Sequence, residues 1–336
     1  MQRGASYMKH IKRFSPLFII PALAVLLAVA SLVYAYRPYS RDSMSRCTAF
    51  VKSSDVLCVS ADGCRTVYFS NTDGASMQGL SFSRSEAETS SVFTAVWVND
   101  NPFYPSSRGK LIAPDFHSSL FISADSINSN LHAVVDSTLA DIDDTFVFLE
   151  KKQKEFAYYL ERHDVKDEGF NNIASLNADN DRYMEALSEI RTELVKIKNS
   201  SNASAKAVQT FRVYTAMNEK DSLASQLCTY ESSDGVSMSL RTLVDAPMSG
   251  AVSISLPPFD IVSPDSGDVV FLSGYYSVPR ADEPFSSVLA SARVTSQGCV
   301  DFPQFGMTDF SPVFTSTGFF AGFLISDSIV GCRGCK

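Results

Sequence analysis

Two kinds of hydrophobic pattern divide this chain. Short runs rich in β-branched and aromatic residues fill residues 47–126 and 207–336, while a longer period of three and four fills the stretch between them. In the first region, residues 66–70, 77–83 and 92–98 read as strands separated by turn residues such as Asn71-Thr72-Asp73-Gly74. In the last, residues 211–216, 236–244, 251–256, 269–273, 288–294 and 311–325 read the same way. Between them, Val135, Leu139, Ile142, Phe146, Leu149, Gln153, Phe156, Leu160 and His163 follow alternating steps of four and three. Ile173, Leu176, Asn180, Tyr183, Leu187, Ile190, Leu194 and Ile197 repeat that spacing. Sustained heptads predict two helices that bury one seam. Residues 165–169 interrupt them, so the expectation is an antiparallel coiled-coil hairpin over 127–198, with arms of about 40–50 Å at 1.5 Å per residue. Acids early and lysines late in each arm suit the helix dipoles. The expected fold class is therefore mainly β with an inserted α-helical coiled-coil hairpin.

A third pattern lies at the N-terminus. Residues 14–36 carry no charge, a run of about 35 Å as a helix against a hydrocarbon core of about 30 Å. Lys9, Lys12 and Arg13 precede it. The expectation is a transmembrane helix at 14–36 behind a cytoplasmic basic tail at 1–13. The body would then be periplasmic or extracellular, in a bacterial envelope. Ala28-Val29-Ala30 offers the rival reading of a cleaved signal peptide, which exports residue 42 onward equally well.

Charge sharpens the division. The chain carries a net charge of −8. All six charges in residues 1–41 are basic, so the remainder holds 23 bases against 37 acids, a net of −14. Such a body does not suit nucleic acid, whose phosphates require clustered Lys and Arg. Export would permit disulfides. Cys58 with Cys64 and Cys332 with Cys335 are the candidate pairs, and an odd total of seven leaves at least one thiol over. Asn199-Ser200-Ser201 and Asn202-Ala203-Ser204 are glycosylation sequons. No EF-hand loop, P-loop, dinucleotide fingerprint or HExxH occurs, and no cofactor or metal is expected.

One segment bears a family likeness. Gly306-Met307-Thr308-Asp309-Phe310-Ser311-Pro312-Val313-Phe314, with Gly318-Phe319-Phe320-Ala321-Gly322-Phe323-Leu324 after it, resembles the end of a chymotrypsin-like serine protease. The resemblance implies a double β-barrel, and the two β regions have about the right combined length. It also places the nucleophilic serine three residues before the proline, where this chain has Asp309, and a glycine two places earlier, where it has Met307. A carboxylate repels a developing oxyanion and Met crowds the turn. Ser311 is present but displaced. The family's histidine sits in an Ala-His turn after an early strand; Leu111-Ile112-Ala113-Pro114-Asp115-Phe116-His117 has that look, with His117 out of step by about one residue. The implied protein is trypsin-like in body and degenerate in site, with His117, Asp309 and Ser311 as its catalytic candidates.

The order of anchor, β, helical hairpin and β also resembles periplasmic adaptor subunits of efflux and secretion systems. Together these readings make the chain a membrane-anchored extracytoplasmic binding or scaffolding protein. Its partners would be the membrane, through the N-terminal helix, and a protein or a second copy, through the hairpin. An active serine endopeptidase and an adaptor subunit are the alternatives.

Overall fold

The structure, a computed structural model of the chain, describes residues 16–73, 75–99, 108–214, 225–256, 262–275, 287–295, 298–301, 307 and 310–331. It starts with α1 (Pro16–Ala35) and α2 (Arg41–Ser45). Then come β1 (Thr48–Ser60), β2 (Val67–Phe69), β3 (Asn71–Asp73), β4 (Ser76–Gln78), α3 (Arg84–Ala87), β5 (Thr89–Val98) and β6 (Lys110–Pro114). Three helices follow, α4 (His117–Ser129), α5 (Leu131–Arg162) and α6 (Phe170–Lys198). The rest is β7 (Ser204–Tyr214), β8 (Ser225–Ser233), β9 (Ser237–Thr242), β10 (Val269–Gly274), β11 (Val288–Val294), β12 (Val300–Asp301), β13 (Pro312–Thr315), β14 (Phe320–Ile325) and β15 (Ser328–Val330).

The strands form two barrel-like sheets. In the first the order is β2-β1-β5-β6-β9-β8-β7, and β1 also pairs with β7, so six strands close on themselves with β2 added to β1. In the second the order is β12-β11-β10-β13-β14-β15, and a bridge from Cys299 to Ser328 brings its two ends together. Both rings wind alike: three strands advance in chain order and the next three return in reverse. A closed sheet leaves no edge to recruit another chain. The architecture is compatible with a double β-barrel.

The chain divides into two compact units. Unit 1 comprises residues 1–51, 93–114 and 213–336; unit 2 comprises 52–92 and 115–212. Unit 1 is built on aromatic packing. Phe310, Phe314, Phe320 and Phe323 cluster with Val96, Val98 and Ile254. The segment after α1 is sewn into this core. Tyr39 packs edge-on against Phe314, its N–H donates to the Gly318 carbonyl at 2.7 Å, and its hydroxyl accepts from the Ser255 N–H at 2.9 Å. Gly318 has φ +93°, and a Cβ there would lie 2.5 Å from the Tyr39 carbonyl oxygen, so only glycine fits.

In unit 2 the buried faces of α5 and α6 cover strands. Val135, Ile142, Leu149, Leu187, Leu194 and Ile197 share one core with Leu57, Val59, Phe69 and Met77. The helices lie against each other in antiparallel register. Arg191 pairs with Asp143 and Lys198 with Asp136, and Gln153 donates to Asp181.

This changes the expected fold class. The protein is mixed α and β rather than mainly β with a coiled-coil insertion. The heptad seam is not sustained, because its members His163, Leu176 and Tyr183 are exposed and many of the others pack on strands. Residues 117–126, expected to belong to the first β region, are helical and form most of α4.

The transmembrane reading is corrected too. Among the described residues, no helix is long and apolar enough to cross a membrane. The single-pass placement, and the extracytoplasmic address that depended on it, therefore do not stand. The basic tail at 1–13 lies outside the described residues.

Thr138 joins helix to strand in unit 2. Its buried hydroxyl accepts from the Met77 N–H at 3.0 Å and donates to the Val134 carbonyl at 2.7 Å. Thr138→Val should cost about 1–3 kcal/mol by stranding a buried N–H, and Thr138→Ser should recover most of it, in urea melts followed by circular dichroism.

Candidate functional site

The residues singled out in the sequence fall in two places. His117 belongs to unit 2 and Ser311 to unit 1. Asp309, Cys332 and Cys335 lie outside the described residues. Cys58 and Cys64 are both free thiols. Cys58 lies in the β1–β2 ladder opposite Tyr68, and burial raises its pKa. Among the described residues no group of three His, Cys, Asp or Glu side chains could hold a metal ion.

His117 opens α4. Pro114 ends β6, and the Asp115 carboxylate then accepts from the His117 and Ser118 N–H groups at 3.1 and 3.0 Å. These are first-turn donors that helix geometry leaves over, so Asp115 starts the helix rather than serving a reaction. The imidazole stacks on Phe121 with centroids 4.1 Å apart. Its Nδ1 meets Gln209 Oε1 at 2.8 Å.

From there a polar chain runs inward through unit 2. Gln209 Nε2 donates to Ser53 Oγ at 3.2 Å, and Ser53 Oγ donates to Asp55 Oδ1. Because the Gln209 amide nitrogen faces Ser53, its oxygen faces the imidazole, which assigns the proton to His117 Nδ1. That tautomer leaves Nε2 as an acceptor. A triad would instead run from imidazole to carboxylate directly and from imidazole to an accessible hydroxyl. Here an amide and a hydroxyl separate the two, and Ser53 is 0% exposed. The chain can orient the ring and tie β1, β7 and α4 together. It cannot present Ser53 to a substrate.

Sequence reasoning found His117 but missed Gln209, Ser53 and Asp55. The available signal was the polar run Lys52-Ser53-Ser54-Asp55 inside a strand whose other residues are largely apolar.

Ser311 is also 0% exposed. A Cβ on Gly274 would lie 2.3 Å from its Oγ and 3.0 Å from Met307 Cε, so the hydroxyl is packed against backbone. The Ser311 carbonyl accepts from Leu324 N–H at 2.9 Å. Phe310, before it, holds a left-handed φ of 69°, its N–H donating to the Leu324 carbonyl at 2.7 Å. Met307 packs with Val270, Leu272 and Val313. Where the family's pattern calls for a turn glycine and an exposed nucleophile, this chain builds core.

The Asp55 carboxyl has a pKa raised above its ordinary 3.8. Burial is the main cause and the Glu88 charge adds to it; hydrogen bonds from Ser53 and Gln209 and the charge on His117 oppose it. The folded state therefore holds this proton more tightly than the unfolded chain. Its contribution to stability is largest below the ordinary value and is lost as pH rises through the raised one. Asp55→Asn should remove that decline. In thermal melts, its advantage over the parent chain should grow from pH 4 to pH 7.

No family model, curated protein or solved structure matches this chain.

Proposed function

We propose that this chain is a non-catalytic protein-binding module. Its body is a degenerate double β-barrel of the chymotrypsin-like type, and α5 and α6 form its recognition arm. The observation that carries the reading is the burial of Ser311. A nucleophile must reach its substrate, and this hydroxyl is enclosed by Gly274 and Met307. The hydrolase alternative has no other support among the described residues.

The arm has the composition of an interface. Val147, Phe148 and Tyr158 on α5 are exposed. Lys152 lies over the Phe148 ring and Arg162 over the Tyr158 ring. Exposed aromatics flanked by cations are the residues that anchor protein–protein contacts. The adaptor alternative is supported in part by the topology, since β6 pairs with β9 and β1 with β7 across the helices, but the two strands that flank the helices directly, β6 and β7, are not neighbours.

Two measurements test the proposal. A serine-reactive fluorophosphonate should leave the native chain unlabelled, and an adduct lost in Ser311→Ala would return the protein to the hydrolases. A photo-cross-linker placed at Phe148 should give a defined protein adduct. Phe148→Ala with Tyr158→Ala should weaken that partner's affinity by about tenfold or more while leaving the melting curve nearly unchanged. A chain that stays strictly monomeric and yields no adduct would sink the binding reading.

A further inference from the structure

A groove runs along unit 2 between the segment 80–86 and α6. Its floor is apolar, formed by Leu80, Phe82, Leu187 and Ile190. Its rim is acidic, with Glu86, Glu185, Glu189 and Glu193. From Glu185 to Glu189 the helix rises about 6 Å, the reach of about two residues of extended chain.

One cation already lies in this groove. Arg65 stacks its guanidinium 3.7 Å from the centroid of Phe82. Its Nη1 is 3.7 Å from Glu189 Oε2, and its backbone N–H donates to Glu193 Oε2 at 3.2 Å. The Arg65 side chain is 60% exposed, so it rests on the groove rather than filling it. Glu185 has no ion pair among the described residues. The groove therefore combines an aromatic platform already holding one guanidinium with carboxylate left over for another. An apolar floor under acidic rims favours a planar, weakly hydrated cation, which is arginine rather than lysine.

We infer that this groove docks an extended, arginine-bearing segment of a protein partner, with Arg65 as the internal copy that the segment displaces. The inference rests on the reading of the chain as a protein-binding module, and adds a place and a chemistry to it. The incoming guanidinium takes the face of Phe82 and the Glu189 carboxylate, and a second arginine about two residues away reaches Glu185.

The test uses the full chain and a fluorescein-labelled tripeptide with arginine at both ends and a glycine centre, titrated by fluorescence anisotropy at low salt. Saturable binding is expected. Glu185→Gln with Glu189→Gln should weaken it about fivefold. Arg65→Ala should tighten it about threefold by removing the competitor, whereas Arg182→Ala, an arginine on the same helix that pairs with Asp179, should leave it unchanged. Absence of binding, weakening in Arg65→Ala, or equal tightening in Arg182→Ala would each overturn the proposal. If the peptide fails while the Phe148 cross-link persists, the groove is wrong and the binding reading stands. If both fail, both fall.

Discussion

Strand β1 has two apolar ends and a polar centre, and the cores at both ends depend on that division. Phe50, at one end, stacks edge-on with Tyr275 and Tyr214 in unit 1. Leu57 and Val59, at the other, enter the helix-covered core of unit 2. Between them Ser53 is fully buried, and a buried hydroxyl must be hydrogen-bonded or cost free energy. The requirement is met by recruiting Gln209 from β7 and, through it, His117 from α4. A polar interruption that would weaken an isolated strand thus fixes three elements together.

The stretch around Ser311 follows a related logic. A catalytic turn must hold a hydroxyl and backbone donors at the surface, unsatisfied until substrate arrives. Here Met307, Phe310 and Ser311 spend those groups on the fold. Met307 fills a hydrophobic cluster, Ser311 packs against Gly274, and the backbone of Phe310 and Ser311 pairs with Leu324. Burial of this kind stabilises the second barrel and keeps the Ser311 hydroxyl away from solvent. Surface chemistry is concentrated instead on unit 2, where the aromatic and charged side chains of α5 and α6 remain exposed.

What was legible in the sequence depended on whether a pattern was local. The three-and-four period marked α5 and α6, because helix periodicity is written within one segment. The partner of that face was not legible: the same apolar stripe packs on another helix or on a sheet, and here it packs on β1, β2 and β4. Strands β9, β10 and β11 showed their alternation, whereas β1 did not, since Lys52 to Asp55 interrupts it. Helix α4 was hidden by its serines, which are weak helix formers, although Asp115 carried a start signal. His117 could be singled out as a type of residue, but its partner Gln209 is 92 positions away and Ser53 a further 156 from Gln209, and no local pattern joins them.

The clasp between Tyr39 and the Gly318 turn has a mechanical consequence. Residues 36–38 form only a short link between α1 and Tyr39. A tension applied to α1 would reach Tyr39 after very little slack. It would there divide between the carbonyl of Gly318 and the amide of Ser255, two anchors far apart in sequence but within one core. Such a load shears several contacts at once instead of peeling a strand from its end. The N-terminal segment is therefore fastened to the aromatic core at Tyr39 through its backbone, its hydroxyl and its ring.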